Sequence, residues 1–395
     1  MIAIALFCAR AAPTAAQQDA PVRPPAPRVA TAPGQTPVAT TAAPQPSPWS
    51  VTWTTALGGF AVAPATADQS SVFVSLKTGQ VVAVATDTGA VRWTTAAQTE
   101  VGPAASAGAV YVATTDAIEA LAAVTGERTW RAPLPAAVAA APLVSGPHVI
   151  GVLRSGEVRA LDRASGTMAW TQNLGGTPDL VSPVVNDRFL AALSEGEVVL
   201  VETTSGRLLW RRRLPAPTTA LRVDLDRVFV GSRDNFLYAL DGRDGRIRWR
   251  WRTGGDVIGV PEVDDRRVYF VSLDNVVRAL DRVNGAQRWK AGLPTRPIGG
   301  PLVLGSELIV AGVSAALHVV DLAGGRLQPA IPLDAEPSLP PLAVTSPGSD
   351  GPSVVVITRD GRLRRLTRAR VDPAVSESAP PSPPPVPDPP PPVLP

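Results

Sequence analysis

The sequence predicts an all-β protein, an eight-bladed β-propeller, and three observations carry that expectation. A glycine and a tryptophan four residues apart recur six times, as Gly89/Trp93, Gly126/Trp130, Gly166/Trp170, Gly206/Trp210, Gly245/Trp249 and Gly285/Trp289. Successive tryptophans of this set keep a nearly constant interval. Trp53, with no strands before it, precedes Trp93 by one more such interval, while the last repeat at the far end stops after its second strand. A period near forty with about four strands per unit indicates a propeller. A unit split between the two ends of the chain closes it into a ring.

The best-formed unit runs from Asp226 to Trp249. Val228 to Gly231 and Phe236 to Leu240 are short apolar runs, suited to buried strands. Asp234-Asn235 between them tolerates positive φ and suits a tight hairpin. The turn from Asp241 ends on Gly245, which supplies a left-handed residue without steric cost. Beyond it Arg246, Arg248, Arg250 and Arg252 alternate with Ile247, Trp249 and Trp251, the period-two pattern of a strand with one wet face.

A seventh copy keeps Gly325 but has Pro329 where the tryptophan should be. The eighth, Val354 to Leu366 with a hairpin at Asp360-Gly361, lacks its outer strand, and Trp49-Ser50-Val51-Thr52-Trp53 is expected to supply it. Before most units stands a proline, Pro64, Pro103, Pro142, Pro183, Pro261 or Pro301, at a nearly fixed distance ahead of the next tryptophan or of Pro329. Proline cannot donate to a ladder, so it marks an edge strand, here the innermost one beside a central channel. The periodic tryptophans, including Trp53, are structural on this reading and cover the junctions between blades.

The remaining chain is divided by composition. Residues 1–16 read as the remnant of an export signal, apolar from Ile2 to Ala9 and followed by small residues. The basic segment that usually precedes such a run is missing from the sequence. Cys8 is the only cysteine, so no intrachain disulfide can form. It is a candidate for lipidation, although Phe7 stands where a small residue normally precedes a lipid-acceptor cysteine. Residues 17–48 are a Pro/Ala/Thr-rich linker too poor in large apolar side chains to fold. The propeller is expected over residues 49–371, and a tail with 12 prolines over residues 372–395 should be extended and disordered.

Charge is mild, 37 basic against 34 acidic residues, which favours no nucleic acid as a partner. Two of the basic residues, Lys77 and Lys290, are lysines and the rest are arginines. Arg211, Arg212 and Arg213, with Arg248, Arg250 and Arg252, fall on the outer strands of consecutive units. They form either a solvated edge that blunts further pairing or a docking patch for a protein partner.

Catalytic signatures are sparse. His148 and His318 are the only histidines and lie in different repeats, so neither a zinc cluster nor a histidine-dependent triad can be assembled from neighbours. No P-loop, nucleophile elbow or dinucleotide fingerprint is present. Asp162, Asp241, Asp281 and Asp321 each precede the repeat glycine by four residues, and a side-chain bond to the turn backbone explains that period.

The repeat Ala-x-Asp-x-x-x-Gly-x-x-x-Trp, complete at Ala160–Trp170, Ala239–Trp249 and Ala279–Trp289, resembles the pyrroloquinoline-quinone-type propeller repeat. Over Trp49 to about Arg368 the chain is similar to the BamB family of outer-membrane assembly factors. The shared features are its size, its split last blade, and a seventh unit without tryptophan. The Arg359–Arg368 ending also resembles that family's final strand pair. This resemblance implies a non-catalytic, monomeric, periplasmic scaffold, free of cofactors, whose envelope partner is the barrel-assembly machine. The resemblance to quinone-dependent dehydrogenases of the same fold implies a competing enzyme reading, against which stands the absence of the vicinal cysteine pair common in them. A ligand-binding or sensor module outside the cytoplasm is the third reading.

Overall fold

Among the residues described by the computed structural model (48–106, 108–345 and 351–368), 32 strands assemble into eight four-stranded sheets. Each sheet is antiparallel, and in seven of the eight the four strands follow one another in sequence, the fold the repeats predict. The fifth blade shows the pattern: Thr218–Val223, Arg227–Ser232, Phe236–Asp241 and Ile247–Arg252 pair in order from one edge to the other. Asn235 takes φ +63° in the hairpin and Gly245 φ +69° in the next turn, the two left-handed positions that the turn chemistry requires. No helix among these residues is long and apolar enough to cross a membrane.

The eighth blade is assembled from both ends. Its sheet runs Trp49–Ala56, Arg362–Arg368, Ser353–Ile357, Leu342–Val344, with Trp49 opposite Arg368 and Ala56 opposite Arg362. In the seventh blade the outer strand shrinks to Ile331–Pro332, opposite Ala316 and Leu317 alone.

Second and third strands are buried almost throughout, and the core lies between blades. Leu190, Val198 and Leu200 of the fourth blade, for example, share a cluster with Val228, Tyr238 and Leu240 of the fifth. The first strand of each blade faces the axis. Pro64, Pro103, Pro142 and Pro183 all line one cavity of about 630 Å³ there. Pro261 sits in Val257–Val263 where the ladder skips from Ile258 to Glu262, so its missing N–H breaks no regular pairing.

Expectations for the export segment, Cys8, the linker and the proline tail concern residues outside the described ones. So do the last residues assigned to the propeller, 369–371.

Candidate functional site

The periodic glycines and tryptophans meet across blades. A Cβ built on Gly89, Gly126, Gly166, Gly206, Gly245, Gly285 or Gly325 would lie 2.5–2.8 Å from the ring of Trp53, Trp93, Trp130, Trp170, Trp210, Trp249 or Trp289 respectively. In every case the tryptophan belongs to the preceding blade. The same indoles reach forward with their N–H: Trp93 Nε1 donates to Ala123 O at 2.9 Å, Trp130 to Arg163 O at 3.0 Å and Trp289 to Leu322 O at 3.0 Å. Trp53, Trp210 and Trp249 make the equivalent bond, whereas Trp170 Nε1 is buried without a partner. Inside the blade a second aromatic backs the ring, as in Phe73–Trp93 and Tyr269–Trp289, with centroids 5.8 Å apart. That aromatic pairing has a sequence signal, since Phe73, Tyr111, Phe229 and Tyr269 each stand half a period ahead of a register tryptophan. The glycine–tryptophan period overshadows it.

The turn aspartates bind backbone. Asp241 Oδ1 accepts from Arg243 N at 2.8 Å, Asp281 Oδ1 from Val283 N at 2.9 Å, and Asp321 Oδ2 from Gly324 N at 2.8 Å. The second oxygen of Asp241 and of Asp281 takes an arginine seven residues on, Arg248 and Arg288. Backbone N–H donors to Asp241, then Arg248, and the Arg288 side chain at Asp281 hold these carboxyls below the usual range.

Much of the arginine rim is already engaged, within its own blades or with the chain leaving the preceding one. Arg211 donates to Glu197 Oε2 at 2.8 Å and to Leu174 O at 2.6 Å, and Arg213 to Glu195 Oε2 at 2.8 Å. Arg250 lies over the Phe236 ring, 4.8 Å from its centroid. Arg212 is half-buried with Nε unpartnered, and Arg252 is exposed.

Neither histidine joins a catalytic set. His148 meets the Trp170 ring edge-on at 6.4 Å, and His318 lies 3.3 Å from Ser314 Oγ, where burial pushes its pKa down. Among the described residues no group of three His, Cys, Asp or Glu side chains could hold a metal ion.

The sequence pattern of the family described as "Outer membrane protein assembly factor BamB" matches residues 46–118, 98–225 and 220–363. The chain belongs to that family. No curated protein matches it in sequence. Among solved structures, BamB from Moraxella catarrhalis is 17% identical, with a TM-score of 0.63 over 80% of this chain and 99% of that one. Quinohemoprotein alcohol dehydrogenase from Comamonas testosteroni is 13% identical, with a TM-score of 0.65 over 82% of this chain and 77% of the enzyme. The C-terminal WD40 domain of Sif2 is 14% identical, with a TM-score of 0.61 over 77% and 94%. At these identities the likenesses show the propeller fold.

The BamB-family assignment leaves the quinone question to the channel. Pyrroloquinoline quinone is a tricarboxylate, and its binding calls for cations and donors. The axial cavity, lined mainly by the first four blades, is walled by Ala63, Pro64, Val101, Ala141, Val144 and similar residues; its one charged side chain, Glu100, is paired with Arg154 Nη2 at 2.9 Å. A polyanion seated against these residues would be desolvated with no cation among them to compensate it. The wall does not fit that cofactor.

Proposed function

We propose that this protein is a non-catalytic periplasmic scaffold in outer-membrane β-barrel assembly. The carrying observation is the family match, which spans residues 46–363 in three overlapping segments. The apolar wall of the axial cavity supports the scaffold over the quinone enzyme, since a quinone carboxylate would find no counter-charge among its lining residues. The arginines of the fourth and fifth blades then act as a steering rim for an acidic partner. Export, and an anchor at Cys8 where that thiol is lipidated, complete the reading.

The deciding experiment is affinity capture of the full chain from envelope fractions of its own organism. Recovery of the barrel-assembly machine supports the scaffold. Recovery of the chain with a bound quinone and dye-linked alcohol oxidation, and without that machine, overturns it.

A further inference from the structure

Where the eighth blade meets the first, the surface differs from that at the other junctions. Seven residues beyond each register tryptophan, or beyond Pro329, the loop between blades presents one side chain. Elsewhere it is Glu100, Ala137, Thr177, Pro217, Asp256, Arg296 or Glu336, and no other blade places an aromatic there. At the seam between the eighth and first blades it is Phe60, whose residue is 58% exposed, an unusual state for a large aromatic.

The exposure is not that of a loose loop. Leu57 N donates to Gly361 O at 3.0 Å, Lys77 N to Phe60 O at 2.8 Å, and Val62 N to Ser75 O at 3.0 Å. Leu57 itself is buried. The backbone is pinned on both sides of the ring, so Phe60 is held out into solvent at little further entropic cost on binding.

Beside it lies a notch of about 330 Å³ lined by Phe60, Ala61 and Lys77 from the first-blade side and by Ser338, Leu339 and Arg359 from the eighth. Lys77 has no carboxylate partner among the described residues, whereas Arg359 Nε meets Glu336 Oε2 at 3.3 Å. Lys77 and Arg359 against Glu336 leave one positive charge in excess. An aromatic platform, an aliphatic wall and one uncompensated cation complement an aromatic side chain next to a single carboxylate. The volume suits one such pair and little more.

We propose that this seam notch is a docking site for an extended segment of a partner protein carrying an aromatic residue beside an acidic one. The ring stacks on Phe60 and Leu339, and the carboxylate sits by Lys77. The inference does not rest on the assembly role, because its test uses the isolated full chain and a synthetic probe.

The probe is the capped tetrapeptide acetyl-Gly-Phe-Asp-Gly-amide, titrated by calorimetry and saturation-transfer NMR. Its Asn analogue and a Leu-for-Phe analogue serve as the comparison ligands. The Asp peptide should bind, with the Asn peptide roughly fivefold weaker, about 1 kcal/mol. Phe60→Ser and Lys77→Glu should each weaken the Asp peptide at least as much, with unchanged melting temperatures, since both side chains are solvent-facing. Loss of the preference for Asp over Asn in Lys77→Glu would tie the charge to that residue. The proposal is overturned if the Asp peptide does not bind at millimolar concentration, if the Asn peptide binds equally well, or if both variants bind like the parent protein.

Discussion

Seven of the eight blade junctions use one device, and the eighth uses another. From the eighth blade round to the seventh, a tryptophan on each outer strand rests on the turn glycine of the next blade. Between the seventh blade and the eighth, Pro329 replaces the tryptophan. The reason lies in the receiving blade. The tryptophan docks on the turn between third and fourth strands, and in the eighth blade those strands, Arg362–Arg368 and Trp49–Ala56, come from opposite ends of the chain. No turn joins them, so no glycine can receive an indole. Trp49 fills the place from the other side, buried with Ile309, Leu317 and Val319 of the seventh blade. Its Nε1 donates to Glu307 Oε2 at 3.4 Å, and Arg368 Nη2 approaches Glu307 Oε1 at 3.2 Å. One buried carboxylate thus ties both closing strands to the neighbouring blade. Charge crosses a regular junction too, where Arg282 of the sixth blade reaches Asp224 and Asp226 of the fifth at 2.5 and 2.6 Å. What sets the seventh-to-eighth junction apart is that ring packing on a turn glycine is replaced by a buried carboxylate shared between strands from the two ends of the chain.

The largest effect should come from removing the closing strand. A chain starting at Leu57 loses the whole partner of Arg362–Arg368 together with Trp49, Trp53 and the Glu307 contact, leaving a long exposed edge. Aggregation or a severe drop in melting temperature is expected. A soluble protein as stable as the parent would mean that the ring closes without the N-terminal strand.

Next in size are the regular junctions. Trp210→Ala should cost about 3–5 kcal/mol, as for other large buried aromatics. Gly245→Ala places a Cβ 2.7 Å from the Trp210 ring at φ +69°, adding a clash to a left-handed cost of about 1–2 kcal/mol. In urea unfolding, the clash part of Gly245→Ala should vanish in the Trp210→Ala background. Gly206→Ala, in the same repeat as Trp210 but facing Trp170, should add to Trp210→Ala without that relief. If Gly206 couples to Trp210 and Gly245 does not, the junctions are within repeats after all.

The closing blade should also be the more acid-sensitive region. Arg364, 1% exposed, donates Nη1 to Asp360 Oδ1 at 3.1 Å and Nη2 to Oδ2 at 2.8 Å. Hydrogen bonds from Arg364 hold the Asp360 carboxyl far below the ordinary range. A depressed carboxylate contributes stability that is complete above its unfolded value near ~4 and is lost as pH falls through the folded one. Asp360→Asn leaves the buried guanidinium with only Thr358 Oγ1 and the Asp334 carboxylate, 3.9 Å away, and should cost about 3 kcal/mol, the low end for such pairs because the Asp360 carboxylate is 34% exposed. Thermal melts from pH 7 down to pH 3 should show a smaller acid-induced loss in the variant than in the parent. Parallel curves would assign the acid response to other carboxylates.

The smallest effect is expected at the arginine rim. Arg211, Arg213, Arg248 and Arg250 changed together to glutamate should slow association with an acidic partner and flatten its salt dependence. The fold should persist at reduced stability, since each lost exposed pair is worth at most about 1 kcal/mol while the new carboxylates face Glu197, Glu195 and Asp241. Unaltered association rates in stopped-flow measurements would mark the rim as a solvated edge and move docking elsewhere, the seam notch being the next surface to test.

Much of this architecture is legible in the chain itself. The regular glycine–tryptophan period, the left-handed positions at Asn235 and Gly245, the alternation of Arg248, Trp249 and Arg250, and the split unit between Trp49 and Leu366 all follow from local chemistry repeated at fixed spacing. That is enough to determine an all-β ring and the number of its blades. Local chemistry does not say which glycine a tryptophan touches. In a periodic chain, a contact within a repeat and a contact with the next repeat leave the same pattern, and the ring closure that chooses between them is a long-range event. Phe60, Lys77, Leu339 and Arg359 come together for the same reason: they are separated by most of the chain and become neighbours when the first and eighth blades meet. Glu307 reads in sequence as an ordinary strand residue, and becomes a clamp because Trp49 and Arg368 arrive beside it from the two ends. Turn and strand positions were set residue by residue, because steric and hydrogen-bonding preferences act over a few bonds. The junctions, the axial cavity and the seam were decided by the tertiary structure, because burial and charge pairing depend on which distant side chains are brought within a few ångströms.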